Sequence, residues 1–284
     1  MSRHDPLATA LELVDLERYP LDDLDSERGR ALVAEMREAL ERTGAVSLPG
    51  FLRTGALAEM VAEAETLAPL AFGGPTTVSP YFFNYDIGGP DVADDHPTRR
   101  EGKRQLGQVA YDLIPEDSLL CQLYHSDLIT NLIARVDGKE QLFRLADRYQ
   151  SMNISVMETG GCQQWHFDRG RLVTTLLLQA SEVGGVFEYV HCIRSDEDEH
   201  FDEVAKVLDG DRARVQALHL EPGALNLFRG HYSMHRVTEV QGSRRRLQTI
   251  FAFADEPDTH GNMKSSILHY GPRVTEIEFQ RHVE

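Results

Sequence analysis

Cysteine is scarce in this chain. Cys121, Cys162 and Cys192 are the only three among 284 residues, they lie far apart, and none forms a C-x-x-C pair. An odd, dispersed set argues against a disulfide framework and against a structural zinc site. Long apolar runs are also missing: no uninterrupted stretch reaches the roughly 18 residues that cross a bilayer. The N-terminus, MSRHDPLATALELVDLERYP, is broken by acids where a secretory leader has its apolar core. Basic charge is short as well. Lys and Arg number 29 against 46 Asp and Glu, a net charge of −17. That excess argues against nucleic acid and anionic membrane as partners. It leaves an anionic small molecule open, because a local arginine cluster overrides the global field. The expected compartment is cytoplasmic and the expected partner a small molecule; a homodimer is compatible with everything in the sequence.

What remains is an ordinary globular composition, 41% hydrophobic and 26% charged, enough for a sizeable core. The length favours one large domain over 1–284. Its helical N-terminal part is expected over about 1–140, its β core over about 141–255 and a C-terminal extension over 256–284. Residues 27–43 carry Leu32, Val33, Met36 and Leu40 at helical spacing, and Gly44 ends that helix. Residues 45–51 read as a short strand and turn, and 54–68 as a second helix. Residues 73–105, rich in Gly, Pro and Asp, read as a long irregular loop of the functional or mobile kind. Residues 117–137 read as one further amphipathic helix.

Past about residue 140 the texture changes. Short β-branched and aromatic runs occur at 141–146, 150–158, 171–179, 186–190, 215–220, 224–229, 232–240 and 245–254. Thr159-Gly160-Gly161, Gly184-Gly185, Glu221-Pro222-Gly223 and Gln241-Gly242 separate them, and one helix interrupts at about 197–209. Such punctuation predicts a sandwich or barrel. The expected architecture is mainly β with α: N-terminal helices, then a double-stranded β-helix of the jelly-roll, cupin-like kind.

His166-Phe167-Asp168 is the most informative stretch. Alternate residues of a strand share a face, so His166 and Asp168 point one way and Phe167 the other. His235, in Tyr232-Ser233-Met234-His235-Arg236-Val237, supplies a third ligand from a later strand. Two imidazoles and one carboxylate make a facial triad that suits Fe(II) and leaves positions open for a cosubstrate and O₂. An H-x-D pair is common by chance, and the chain has 12 histidines; the β context and the following arginines are what raise it above coincidence. His231 is the rival third ligand. His191, His200 and His219 read as surface or packing residues. Downstream, Ser243-Arg244-Arg245-Arg246-Leu247 offers cations for a dicarboxylate cosubstrate, since an arginine fork matches a carboxylate. Arg246 is the choice and Arg244 the alternative; at least one of the three is a solvated strand edge.

Leu48-Pro49-Gly50-Phe51, the His166/Asp168/His235 pattern and the downstream arginine together resemble the Fe(II)/2-oxoglutarate-dependent oxygenases. Asn153-Ile154-Ser155-Val156-Met157, Trp165-His166-Phe167-Asp168, Gly184-Gly185-Val186-Phe187-Glu188-Tyr189-Val190 and His235-Arg236-Val237-Thr238 resemble one branch, that of the free-amino-acid halogenases and hydroxylases. The resemblance covers roughly 45–255. It implies a dioxygenase in which His166, Asp168 and His235 hold Fe(II), Arg246 or Arg244 binds 2-oxoglutarate, and O₂ is consumed with release of succinate and CO₂. Halogenases of the branch carry a small residue, usually glycine, where this chain has Asp168. The resemblance therefore implies a hydroxylase.

Substrate contacts are less legible. Arg169 sits either at the cavity rim, where it meets a substrate carboxylate, or in a surface turn with Gly170 and Arg171. Relatives that bind amino acids often have an acid there, which argues against a basic substrate. Gln164 shares parity with His166 and is a candidate for substrate or cosubstrate. Trp165, the single tryptophan, points outward and packs. Asn153 and Thr175 are candidate polar groups for 2-oxoglutarate, or satisfied core residues. Tyr81 and Asn84, in the run Tyr81-Phe82-Phe83-Asn84-Tyr85, are candidates for a lid over substrate, or for helix packing. Arg99, Arg100, Lys103 and Arg104 either receive an anion or neutralise Asp91, Asp94 and Asp95. Two other functions stay open: the same cofactors driving desaturation, cyclisation or attack on a carrier-tethered or peptidyl substrate, and a non-catalytic metal-binding jelly roll.

Overall fold

The computed structural model describes residues 6–83, 87–89 and 91–274. Helices α1 (Pro6–Leu13) and α2 (Glu27–Thr43) come first. The Ser26 hydroxyl accepts from the Gly29 amide at 3.0 Å to start α2. Gly44, with φ of 75°, stops it in the left-handed region. Strand β1 (Ala45–Leu48) and helix α3 (Thr54–Leu67) follow.

Two N-terminal expectations are corrected here. The two ends of the segment expected as an irregular loop, 73–105, pair as an antiparallel hairpin, β2 (Phe72–Val78) against β3 (Gly102–Val109), and the described residues between them are turns and bends. The glycines and proline that argued against a strand fall on β2, which pairs only with β3 and is largely exposed. Such residues are tolerated at an edge. The single helix expected over 117–137 is two, α4 (Leu119–His125) and α5 (Leu128–Asp137). The break falls at Asp127, whose φ of 63° no helix accommodates. Three strands thus precede residue 141, and the N-terminal part is not purely helical.

The β region contains β4 (Phe143–Arg144), β5 (Met152–Met157), β6 (Cys162–His166), β7 (Val173–Gln179), β8 (Val183–Gly184) and β9 (Phe187–Val190). After helix α6 (Phe201–Leu208) come β10 (Gln216–Leu218), β11 (Leu225–Phe228), β12 (Met234–Val237), β13 (Val240–Gln241), β14 (Arg246–Phe251) and β15 (Phe253–Ala254). Helix α7 (Met263–Tyr270) is the last. One continuous antiparallel path runs β1-β11-β7-β14-β5-β3-β6-β12-β9-β10. It divides into two four-stranded layers, β11-β7-β14-β5 and β6-β12-β9-β10, with β3 bridging β5 to β6. Strands β5, β6 and β7 alternate between the layers, as do β10, β11, β12 and β14. This is a double-stranded β-helix.

Strand parity separates two environments. Met152, Ile154, Val156, Leu176, Leu178, Leu225, Leu227, Leu247 and Phe251 face outward and pack on Met36, Leu40, Met60, Leu120, Leu123 and Leu132 of the helices. Each such side chain contributes roughly 1.5–3 kcal/mol by leaving water. The alternating positions face the barrel interior, where buried polar residues, Asn153, Ser155, Thr175, Asn226, Arg246 and Gln248, stand beside an apolar cluster of Met157, Phe187, Tyr189 and Phe228. Buried polar side chains gathered in one interior mark it as the place for chemistry. Among the described residues no helix is long and apolar enough to cross a membrane.

Candidate metal centre

His166 closes β6, and His235 on β12 lies directly opposite it in register. Asp168 falls just beyond the strand, where its amide donates to the Gly230 carbonyl at 3.0 Å. One ligand atom from each of the three residues lies within 4.8 Å of the others. His235 Nε2 is 3.1 Å from Asp168 Oδ2, and His166 Nε2 is 3.8 Å from Asp168 Oδ1. Phe167 points outward between them, into a cluster with Tyr81, Trp165 and Val190.

The tautomers are set for ligation. His166 Nδ1 donates to the Gln164 carbonyl at 2.8 Å and His235 Nδ1 to the Ser233 carbonyl at 2.9 Å. Each Nε2 is thereby left as a lone pair aimed at the shared centre. Burial, with His235 adding to it, pushes His166 down to about 3, so it is neutral at neutral pH. Burial pushes Asp168 the other way, but the adjoining His235 and His166 outweigh it and hold the carboxyl below its ordinary value. Two imidazoles and a carboxylate are the donor set that suits Fe(II) with open positions.

Around the triad, β6 is bulged. His235 pairs with His166 and Val237 with Gln163, so Gln164 and Trp165 together oppose Arg236. This corrects the expectation for Gln164. The bulge moves it to the outer face, where its Oε1 lies 3.4 Å from Arg236 Nη1 and the Arg236 guanidinium covers Trp165 at 4.7 Å. Gln163 takes the inner face instead, with its Nε2 2.8 Å from His166 Nε2. Simple alternation, counted back from His166, picks the wrong glutamine.

Tyr81 is corrected as well. It is buried on the outer side, its ring 5.1 Å from that of Phe167. Its neighbours face the triad: Phe82 lies 5.9 Å from the His166 ring and Phe83 5.5 Å from that of His269. Asn84 lies outside the described residues. Arg169 is exposed in the turn after Asp168, not inside the barrel. Arg244 is exposed and spends its guanidinium on the carbonyls of Ala180, at 2.8 Å, and Ser181. Arg245 pairs with Glu65 and Glu158. His231 is not in the ligand cluster; its Nδ1 lies 3.3 Å from Arg194 Nη2.

Arg246 opens β14 on the inner face. It is buried, its Nη2 has no hydrogen-bond partner among the described residues, and burial alone pushes it down to about 10. A cation held in that state fits the far carboxylate of 2-oxoglutarate. Asn153 and Thr175 share its face; the Asn153 Oδ1 accepts from Gln108 Nε2 at 3.3 Å, and the Thr175 hydroxyl has no partner among the described residues.

The basic cluster of 99–104 divides. Arg99 pairs with Asp94, Arg100 with Asp209 and Lys103 with Glu239. Arg104 alone turns inward, opposite Gln163 on β6. It is 2% exposed, its Nε has no partner among the described residues, and burial pushes it down to about 10, Tyr270 opposing. From α7 comes His269, buried and pushed down to about 3 by burial and by Arg104. Arg104, Gln163, Phe82, Phe83 and His269 therefore complete the inner wall. The signal for Arg104 was the alternation within Gly102–Val109, obscured by two glycines; for His269 the sequence offered none. An open cleft of about 580 Å³ between α2 and the 192–197 segment contains none of these residues, and its Arg171 is already paired with Asp196.

Among curated proteins, none matches this chain. Among solved structures, a 2OG-Fe(II) oxygenase family oxidoreductase from Burkholderia pseudomallei is similar at 14% identity and TM-score 0.51, over 80% of this chain and 93% of that one. The non-heme α-ketoglutarate-dependent epimerase SnoN from nogalamycin biosynthesis is similar at 17% identity and TM-score 0.54, over 80% and 83%. AviO1 from Streptomyces viridochromogenes Tue57 aligns at 15% identity and TM-score 0.53, over 79% and 95%. At such identities these likenesses establish the fold, which is that of the 2-oxoglutarate–Fe(II) oxygenases. Residues 94–269, which include the triad, Arg104 and Arg246, match the family model described as Halogenase D, and the chain belongs to that family.

Proposed function

We propose that this oxidoreductase hydroxylates an unactivated C–H bond of a free amino acid or small amino-acid-like metabolite, using Fe(II), 2-oxoglutarate and O₂. The observation that carries the reading is a pair: one barrel interior holds two buried arginines, Arg246 and Arg104, neither matched by a carboxylate among the described residues. A buried cation without a partner costs several kcal/mol unless a ligand supplies the counter-charge. Two such cations fit two carboxylate-bearing ligands, the cosubstrate at Arg246 and the substrate at Arg104.

His166, Asp168 and His235 would hold the metal, and the two backbone-bonded Nδ1 atoms keep both imidazoles in the ligating tautomer. The metal and cosubstrate together supply the oxidising power when bound. The side chains orient the substrate and exclude water: Phe82 and Phe83 roof the triad, while Gln163 and His269 offer polar contacts beside Arg104. Asp168 supports oxygen transfer over halogenation. Its carboxylate stands beside both imidazoles, and a halide would need that place.

The test is a screen of the free amino acids for stimulated succinate release in chloride-containing buffer, followed by product mass. A gain of one oxygen supports hydroxylation. A gain of chlorine, a loss of two hydrogens, or no stimulation by any free amino acid rejects it. His166→Ala must abolish the stimulated succinate; unchanged turnover in that variant sinks the metal assignment.

A further inference from the structure

Gly230 does not need glycine for its backbone, because it is absent from the residues with positive φ. It needs glycine for space. A Cβ built there would lie 2.6 Å from Asp168 Oδ2, 3.0 Å from Asp168 Cβ and 2.8 Å from Val173 Cγ2. The backbone cannot retreat. The Gly230 carbonyl accepts from the Asp168 amide at 3.0 Å, and its own amide donates to the Phe228 carbonyl at 2.9 Å. Val173 is a β-branched residue within β7, stiff at χ1. The softest of the three neighbours is the carboxylate, and the oxygen in the way is the one 3.1 Å from His235 Nε2.

We infer that Gly230 is a positioning residue for the metal centre: its missing side chain is the space that Asp168 occupies, and residues 168 and 230 act as one steric unit that fixes a carboxylate as the third ligand. This rests on the metal-site reading above. It deepens that reading by placing a determinant of oxygen transfer, as against halide binding, at a position remote in sequence from the H-x-D motif. A methyl group at 230 is expected to turn the carboxylate away from His235 and loosen the metal without touching either histidine.

The experiment is a double-mutant cycle on the full chain, with Co(II) as probe, titrated anaerobically with 2-oxoglutarate present. Gly230→Ala should weaken Co(II) binding by about 10- to 100-fold, the usual range for groups that orient a ligand. In the Asp168→Gly background the same substitution should change affinity less than about threefold, because the side chain it displaces is gone. Equal weakening in both backgrounds, or none in the parent, overturns the inference. Should Asp168→Gly bind Co(II) too weakly to titrate, the cycle is read on the melting temperature of the metal-free proteins. Gly230→Ala then lowers it more where Asp168 is present, and an equal drop in both overturns the inference. Val173→Ala combined with Gly230→Ala should stay weak; recovery to parental affinity would transfer the effect to Val173 and reject the coupling. Succinate release by the unmodified protein judges the functional reading separately, so the two can fail independently.

Discussion

Arginines on the two sides of the β6–β12 layer are treated in opposite ways. Outside, Arg194 is fully buried, pairs with Glu199 at 3.0 Å and lies 4.1 Å from the Phe167 ring. Arg236 pairs with Glu188 at 2.7 Å and covers Trp165. Inside, Arg104 and Arg246 are as buried as Arg194, and among the described residues neither has a carboxylate partner. The outer pairs contribute to the fold. The inner cations work against it, a cost that the counter-charge of a bound ligand would offset.

The largest effect expected from this difference separates stability from binding. Arg194→Leu removes a buried guanidinium together with its bonds to Glu199 and the His231 carbonyl and its contact with the Phe167 ring, which should cost about 2–4 kcal/mol in urea denaturation. The KM for 2-oxoglutarate should stay as it was. Arg246→Leu should do the reverse. Stability of the ligand-free protein should fall by less than about 1 kcal/mol, because an isolated cation is replaced by an apolar group. The KM for 2-oxoglutarate should rise about 100-fold, equivalent to about 3 kcal/mol of charge-assisted hydrogen bonding. Comparable destabilisation in the two variants breaks the comparison.

Arg104→Met sharpens it within the barrel. The KM for the amino acid found in the succinate screen should rise at least about tenfold, while that for 2-oxoglutarate stays within about twofold. If both rise together, the two cations serve one ligand. Arg236→Leu is the matching change outside, and its effect is smaller. Glu188 keeps a second partner in Arg212, so loss of the ion pair and of the contact with Trp165 should cost only about 1 kcal/mol, read as a drop in melting temperature.

The strands and the ligands were legible in the sequence to different depths. Alternating apolar residues and glycine turns located β5, β7, β9, β11, β12 and β14 within a few residues, because each strand buries one face on the helices. The hairpin of β2 and β3 was not legible, since an edge strand needs no apolar pattern. His166, Asp168 and His235 could be named from spacing because alternation survives over two residues. Gln164 and Gln163 were exchanged because one bulge resets the count, and the bulge has no marker in Gly161-Cys162-Gln163-Gln164-Trp165. Arg104 was seen only as one of four basic residues. What distinguishes it is the absence of a partner, and sequence does not record absences of that kind. Nothing in the sequence marks Gly230, since the carboxylate that requires it belongs to another segment.

The smallest effect concerns acid. His166 and His269 lie inside the barrel, and burial, helped by the charge of Arg104, pushes each down to about 3. In the unfolded chain a histidine titrates near 6.5. Between those values the unfolded state binds a proton that the folded state refuses, so stability is fully present above about pH 6.5 and is lost as pH falls toward 3. The limiting slope is about 1.4 kcal/mol per pH unit for each histidine. His269 isolates the effect, since it is not one of the three ligands. Urea denaturation of the metal-free protein at pH 7.5 and 5.5 should show a loss at the lower pH, and His269→Leu should reduce that loss by about 1 kcal/mol. An unchanged loss would mean that the imidazole accepts a proton beside Arg104. The interior would then tolerate one more positive charge, and Arg104 and Arg246 would no longer stand apart from the paired arginines outside.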